Sequence, residues 1–240
     1  MFSVIIGTGT PVIGSYENVP WELGSIRLKR EYDVEGGTNY VVTGEDFFYT
    51  IPYAHIAQKS LEAPPAYAID IHGQFLPTLK IGSLYWTATN LSVTHYRDGN
   101  SIPAADVFVY GGSEANAAKY GRLYSWTAVN SGKLCPVGWR IPTKEDWESL
   151  LAAYPGKSLK ALALGWTGNA DNASGFSALP VGIADGTGGY DGEGGYTYFW
   201  TGTEVSAGVA WSVGFFPGTD DAILDNNIDK SFGLPVRCVR

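Results

Sequence analysis

Apolar and polar positions change rhythm along the chain. Residues 25–34 alternate roughly every second position, and residues 39–43 and 47–51 are rich in β-branched and aromatic side chains. Gly36-Gly37 and Gly44-Glu45-Asp46 separate these runs. Period two bounded by Gly and Asp predicts strands joined by turns. Glu62-Ala63-Pro64-Pro65 breaks the pattern, and residues 69–73 predict one more short strand. Residues 1–78 therefore read as a small β-rich arm or attachment domain with a junction near Pro77-Thr78. Its residues do not state what it attaches to.

From Leu79 onward the rhythm tightens. Residues 80–91 predict a hairpin-like pair of short strands. Residues 115–129 carry Tyr120, Leu123, Tyr124 and Ala128 at helical spacing, although Gly121 lies among them and disfavours a helix interior. Thr143-Lys144-Glu145-Asp146 predicts a capped helix start. Thr143 can accept from a free backbone N–H while Asp146 reaches back, and Trp147, Leu150 and Leu151 then form one apolar face. A shorter helical piece is expected over residues 158–164. Beyond Gly165 the chain is rich in Gly, Asn and Asp, with a glycine-loaded loop over residues 182–195 and short aromatic strands. The order predicts an α+β fold in which two helices support a small, irregular antiparallel sheet.

Composition narrows the function. The 240 residues are 45% hydrophobic, enough for a real core, and include 31 Gly, 15 Tyr and 8 Trp. Such a mixture suits short strands, tight turns and rigid contact surfaces. The net charge is −8 and no basic stripe is present, which argues against a nucleic-acid partner. No apolar run reaches the ~18 residues of a membrane helix, so no membrane insertion is expected. The first ten residues lack the basic region of a secretory leader. That leaves a protein made in the cytoplasm and assembled there, or a cell-surface protein whose leader has been removed.

The only cysteines are Cys135 and Cys238. They are too few for a zinc site without help, and His55, His72 and His95 show no ligand spacing. Two readings stay open: a disulfide closing a long loop, or two buried thiols packed as neighbours. Either suggests that the last strand returns to the middle of the domain.

Seven segments then carry a resemblance. They are residues 81–91 (IGSLYWTATNL), 94–103 (THYRDGNSIP), 120–126 (YGRLYSW), 135–143 (CPVGWRIPT), 174–180 (SGFSALP), 199–204 (FWTGTE) and 236–240 (VRCVR). In this order, over about 160 residues, the chain resembles the Fibrobacter succinogenes major paralogous domain family. The resemblance implies a C-type-lectin-like fold over residues 79–240, without residues 1–78. It also implies a ligand-presenting domain like those of Bacteroidetes surface proteins, phage proteins and the variable proteins of diversity-generating retroelements. The expected role is a non-enzymatic recognition module, such as a phage tail- or head-fibre adhesin on the virion. Its expected partner is a host surface glycan or protein. The alternatives are a mainly structural virion or appendage component, packed against other virion subunits, and a Bacteroidetes cell-surface lipoprotein domain. A homo-oligomer is expected, a trimer being the common form of fibre-type adhesins.

Within such a fold, Trp86, Trp126, Trp139, Trp147 and Phe176 are expected in the core. Arg140 is expected to satisfy carbonyls or a carboxylate. The candidate ligand-binding residues lie between 190 and 229. Tyr190, Tyr196, Tyr198, Trp211, Phe215 and Phe216 supply contact area at small entropy cost, and sugars stack on such rings. Alternation along a strand instead puts Trp211, Val213 and Phe215 in the core, with Phe216 outward. Asp220, Asp221, Asp225, Asn226, Asn227 and Asp229 offer oxygen ligands to hydroxyls, as do Asp185, Asp191 and Glu193. Calcium is conceivable there, but the spacing misses an EF-hand loop and the lectin sugar-binding signatures; solvated turn acids are the default, and no cofactor is expected. The resembling fold is shared with formylglycine-generating enzymes, which use paired cysteines. Here both cysteines fall in scaffold motifs, with no base, nucleophile or metal cluster in the sequence beside them, so no enzyme is expected.

Overall fold

The computed structural model describes residues 27–32, 41–47, 67–162, 166 and 169–240. The chain divides into two compact units, Met1–Ala63 and Pro64–Arg240. In the first, β1 (Arg27–Tyr32) and β2 (Val41–Phe47) form an antiparallel pair. Gly44-Glu45-Asp46, expected as a turn, lies inside β2. Gly44 stays in the ladder opposite Arg30, and a bulge between Arg30 and Glu31 takes up the irregularity. The expected turn at Gly36-Gly37 and most of the strand expected over residues 47–51 lie outside the described residues.

The second unit opens with a three-stranded antiparallel sheet of β3 (Tyr67–Ile69), β4 (Phe75–Ile81) and β5 (Leu84–Thr87). Residues 70–73, expected to continue a strand, instead lie in the β3–β4 turn. Asp70 Oδ1 accepts from the backbone N–H groups of His72 and Gln74, both at 2.8 Å, and Gly73 takes a left-handed φ of 77°. Strand β4 runs through the junction expected at 77/78, pairing with β3 by its first half and β5 by its second. The compact unit accordingly starts at Pro64, ahead of the motifs that begin at Ile81. Gly82-Ser83 closes the β4–β5 hairpin where the sequence predicts it.

The helical stretch expected over residues 115–129 is interrupted. It comprises α1 (Glu114–Tyr120), a two-residue strand β7 (Leu123–Tyr124) pairing with β6 (Val107–Phe108), and α2 (Trp126–Asn130). Gly121 causes the break. It adopts φ 80°, and a Cβ there would sit 2.7 Å from Asn90 Cβ and 2.8 Å from the Leu91 carbonyl oxygen. Helix α3 (Lys144–Ala153) begins with the expected capping box: Thr143 accepts from the Asp146 N–H, and Asp146 accepts from the Thr143 N–H. Arg140 pairs with the same Asp146 carboxylate, at the surface rather than inside. The next helix, α4 (Gly156–Leu159), is a single turn. It stops short of residue 164 because Lys160 leaves the helix to bridge Ala178.

The glycine-loaded loop contains a small hairpin, β8 (Ile183–Ala184) with β9 (Tyr190–Asp191). Beyond it, β10 (Thr197–Glu204), β11 (Val209–Phe215) and β12 (Ala222–Asp229) form an antiparallel sheet in that order. One face, with Phe199, Val213 and Phe215, joins Trp86, Trp147 and Phe176 in a core of aromatic rings. The other face carries Trp200, which packs with Trp126 of α2 and Trp139. The four helices and small antiparallel sheets among the described residues make this an α+β protein.

Residues 234–239 are fully buried and tie the domain together. Leu234 bridges Tyr124, and Val239 bridges both Trp86 and Arg140. Cys135 and Cys238 form a disulfide, their Cα atoms 5.9 Å apart across 103 residues; of the two readings left open by the sequence, the oxidised one holds. Closing a loop of that length is worth ~4–5 kcal/mol in the chain-entropy account. Next to Cys238, Arg237 is buried with no carboxylate partner among the described residues. It donates to Asn90 Oδ1 (2.8 Å), the Thr87 carbonyl (2.7 Å) and the Ser177 carbonyl (3.1 Å), and it lies over the Phe176 ring. Burial pulls its guanidinium down to about 9.

Candidate functional site

The face of the β10–β12 sheet that carries Trp200 is covered at one end by α2. Toward the other end the row across the three strands reads Tyr198, Gly214, Ile223. There Tyr196, Tyr198 and Phe216 form a half-buried aromatic tray, with ring centroids 5.8, 5.5 and 6.2 Å apart. Ile223 beside it is 53% exposed.

Two glycines let these rings lie where they do. A Cβ on Gly214 would come within 2.8 Å of the Tyr198 ring and 2.9 Å of the Phe216 ring, and one on Gly192 within 2.5 Å of the Tyr196 ring. The strand backbone at Gly214 is ordinary, so it is the overlying rings that exclude a side chain. Phe216 is fixed from behind. The buried Lys160 donates through Nζ to the carbonyls of Phe216 (2.5 Å) and Thr219 (2.7 Å). Burial lowers this ammonium's pKa, partly opposed by Asp220.

The tray is flanked by acids. The Tyr196 hydroxyl donates to Asp191 Oδ2 at 2.7 Å. Burial raises the Tyr196 pKa first, and the Asp191 carboxylate raises it further. Burial and then Asp225 raise that of Tyr198. Both hydroxyls therefore stay neutral at physiological pH. A second aromatic pair, Tyr110 and Tyr190, lies at 5.3 Å between ring centroids. Glu193 anchors the intervening loop, donating from its N–H to the Tyr110 hydroxyl and accepting from the Tyr120 hydroxyl.

Of the expected site residues, Tyr196, Tyr198, Phe216 and Asp225 come together, with Tyr190 on the adjoining pair. Phe215 is corrected to the core, where it is fully buried beside Trp147 and Phe199. Trp211 belongs to neither group. It falls in the register shift between Ala210 and Ser212, half-exposed, with Lys144 over its ring. The alternation argument fails for Trp211 because that bulge resets which way the strand's side chains point. Asp220 is taken by Lys157 and Asn169, and Asp221 is exposed on the same turn.

Asp225, Asn226, Asn227 and Asp229, expected in a loop, lie on β12 and spread along a strand instead of converging. Asp225 Oδ1 accepts from the Asn227 N–H, and Asp229 Oδ1 from the Ser231 N–H and hydroxyl. Asp185 similarly closes the turn to Gly189. Among the described residues, no three His, Cys, Asp or Glu side chains are grouped to hold a metal ion. Sequence reasoning missed Ile223, Gly192, Gly214 and Lys160. A glycine inside a strand next to aromatics was the available sign of close ring approach; nothing local marked Lys160.

Residues 79–240 match the family model described as Fibrobacter succinogenes major domain. No curated protein and no solved structure matches the chain.

Proposed function

Because the chain belongs to the Fibrobacter succinogenes major domain family, we propose that this unit is a non-enzymatic recognition module with a C-type-lectin-like fold. It is displayed outside a cell, foremost as an adhesin of a phage fibre, and binds a host surface through the aromatic tray. The observation that carries this reading is the tray itself. Three rings are left half-buried on a rigid sheet, at the end that no helix among the described residues covers. Aromatic side chains fixed on rigid backbone are efficient contact residues, because little freedom is lost on binding. The buried disulfide supports work in an oxidising exterior, since reducing cytosol keeps thiols apart. It also engages both cysteines in the scaffold, which favours binding over thiol chemistry.

The test is adhesion of the full chain, fluorescently labelled, to gut Bacteroidetes cells. Wild type binds at least one strain saturably, and Phe216→Ala lowers the affinity at least tenfold while the thermal unfolding temperature stays within a few degrees. Equal binding by the variant removes the tray from the reading. A second reading, a structural subunit whose tray is covered by another copy of the chain, is favoured by the exposed Ile223. It predicts a concentration-dependent oligomer in light scattering that Ile223→Lys dissociates.

A further inference from the structure

We propose that the tray takes an uncharged sugar ring of a surface glycan, without help from a bound cation; this rests on the tray being the recognition surface. Three features converge on that ligand. The rings of Tyr196, Tyr198 and Phe216 provide apolar area for the C–H face of a pyranose. Carboxylates flank the rings: Asp191 accepts from the Tyr196 hydroxyl, and Asp225 lies on β12 two residues along from Ile223, which is in register with Tyr198 across Gly214. Each commits one oxygen within the fold, to the Tyr196 hydroxyl and to the Asn227 N–H. The second oxygen of each is an acceptor, and sugar hydroxyls are the donors that match it.

Charge then selects among glycans. Neither Asp191 nor Asp225 has an ion-pair partner among the described residues. A sialic acid, uronic acid or sulfate placed there meets two carboxylates, and the nearby Lys160 ammonium is fully buried and committed to the Phe216 and Thr219 carbonyls, which disfavours it. Calcium has no built position either, because among the described residues no three carboxylate or imidazole side chains are grouped to hold one.

Area separates a sugar from a protein partner. A large aromatic side chain offers ~150–250 Å² when fully exposed. No more than about a third of each ring is exposed, so the three together offer at most roughly 250 Å², well short of the ~800 Å² that each side of a stable protein interface buries. That is the scale of one or two sugar units.

The experiment uses the full chain on Bacteroidetes cells that it binds. One batch of cells is oxidised with periodate, which cleaves vicinal diols, and another is treated with protease. Neutral polysaccharides (mannan, galactan, dextran) and anionic ones (heparin, polygalacturonate) are the soluble competitors. Adhesion is expected to fall at least tenfold after periodate, to survive protease and EDTA, and to be competed by a neutral polymer in preference to the anionic ones. Asp225→Asn, a change at the surface, is expected to weaken it severalfold. Adhesion that is protease-sensitive and periodate-resistant, that needs a divalent cation, or that anionic polymers compete best overturns the sugar assignment. If such adhesion is still lost in Phe216→Ala, recognition at the tray stands; if Phe216→Ala binds as wild type, the recognition reading fails as well.

Discussion

The β10–β12 sheet carries an aromatic cluster on each face, and the two clusters behave differently. On one face Trp147, Phe199 and Phe215 meet Trp86 and Phe176, mostly edge-to-face, with every ring essentially excluded from water. On the other, Tyr196, Tyr198 and Phe216 have similar spacings and tilts but are only half-buried. Ring geometry alone does not separate a core from a contact surface. Cover does: α3 lies over the first cluster, while α2 stops short of the second. Composition follows. The buried set is Trp and Phe, whereas two of the three outer rings are tyrosines, one with its hydroxyl held by a carboxylate.

The strongest way to break the contrast is Trp147→Ala. It removes a fully buried ring that meets four neighbours, and a cost of about 3–5 kcal/mol is expected. Urea unfolding should show it as a lower midpoint at unchanged slope, and adhesion should be lost only in proportion to unfolding.

Gly214→Ala should act on the outer cluster. Its methyl would displace the Tyr198 and Phe216 rings, costing about 1–3 kcal/mol. Near-ultraviolet circular dichroism of the tyrosines should change while the disulfide core persists. An unchanged spectrum would mean that the rings do not rest on that glycine.

The smallest effect concerns the helix that roofs the core. Burial pushes Asp146 up, but Arg140 and the Thr143 N–H outweigh it, and its folded pKa lies below the ordinary value. The stabilisation from its charge is then fully present above the unfolded pKa of ~3.9 and is lost as pH falls through the lower folded value. Asp146→Asn should cost about 1 kcal/mol at pH 7. The gap between variant and wild type should narrow below pH 4 in thermal unfolding, and a gap that widens there would contradict the assigned cause.

Much of the scaffold was legible because its signals are local. The capping box at Thr143 and the Gly82-Ser83 hairpin need only neighbouring residues, and the seven ordered motifs pointed to the family. The interruption at Gly121 was not legible, because the reason for it is Asn90-Leu91, thirty positions away in sequence. The site was half legible. Aromatic density between 190 and 216 was visible, but the assignment of Phe215 inward and Trp211 aside depends on strand pairing and one bulge. The acids of residues 225–229 read as a loop because Asp and Asn favour turns, and pairing with β11 overrides that preference. Arg237 gave no sign of being a buried cation; its neighbours Thr87, Asn90 and Ser177 come from distant segments.

The placement of residues 234–239 has a bearing on synthesis. Trp86, Tyr124 and Arg140 emerge from the ribosome about a hundred or more residues before Leu234 and Val239, the segments they bridge. Until then the earlier strands lack their partners, and apolar surface waits in the open where aggregation competes. Folding of this module is thus withheld until nearly all of it has been translated, and a nascent chain cut off before Cys238 has neither the bolt nor the bar that would lock it.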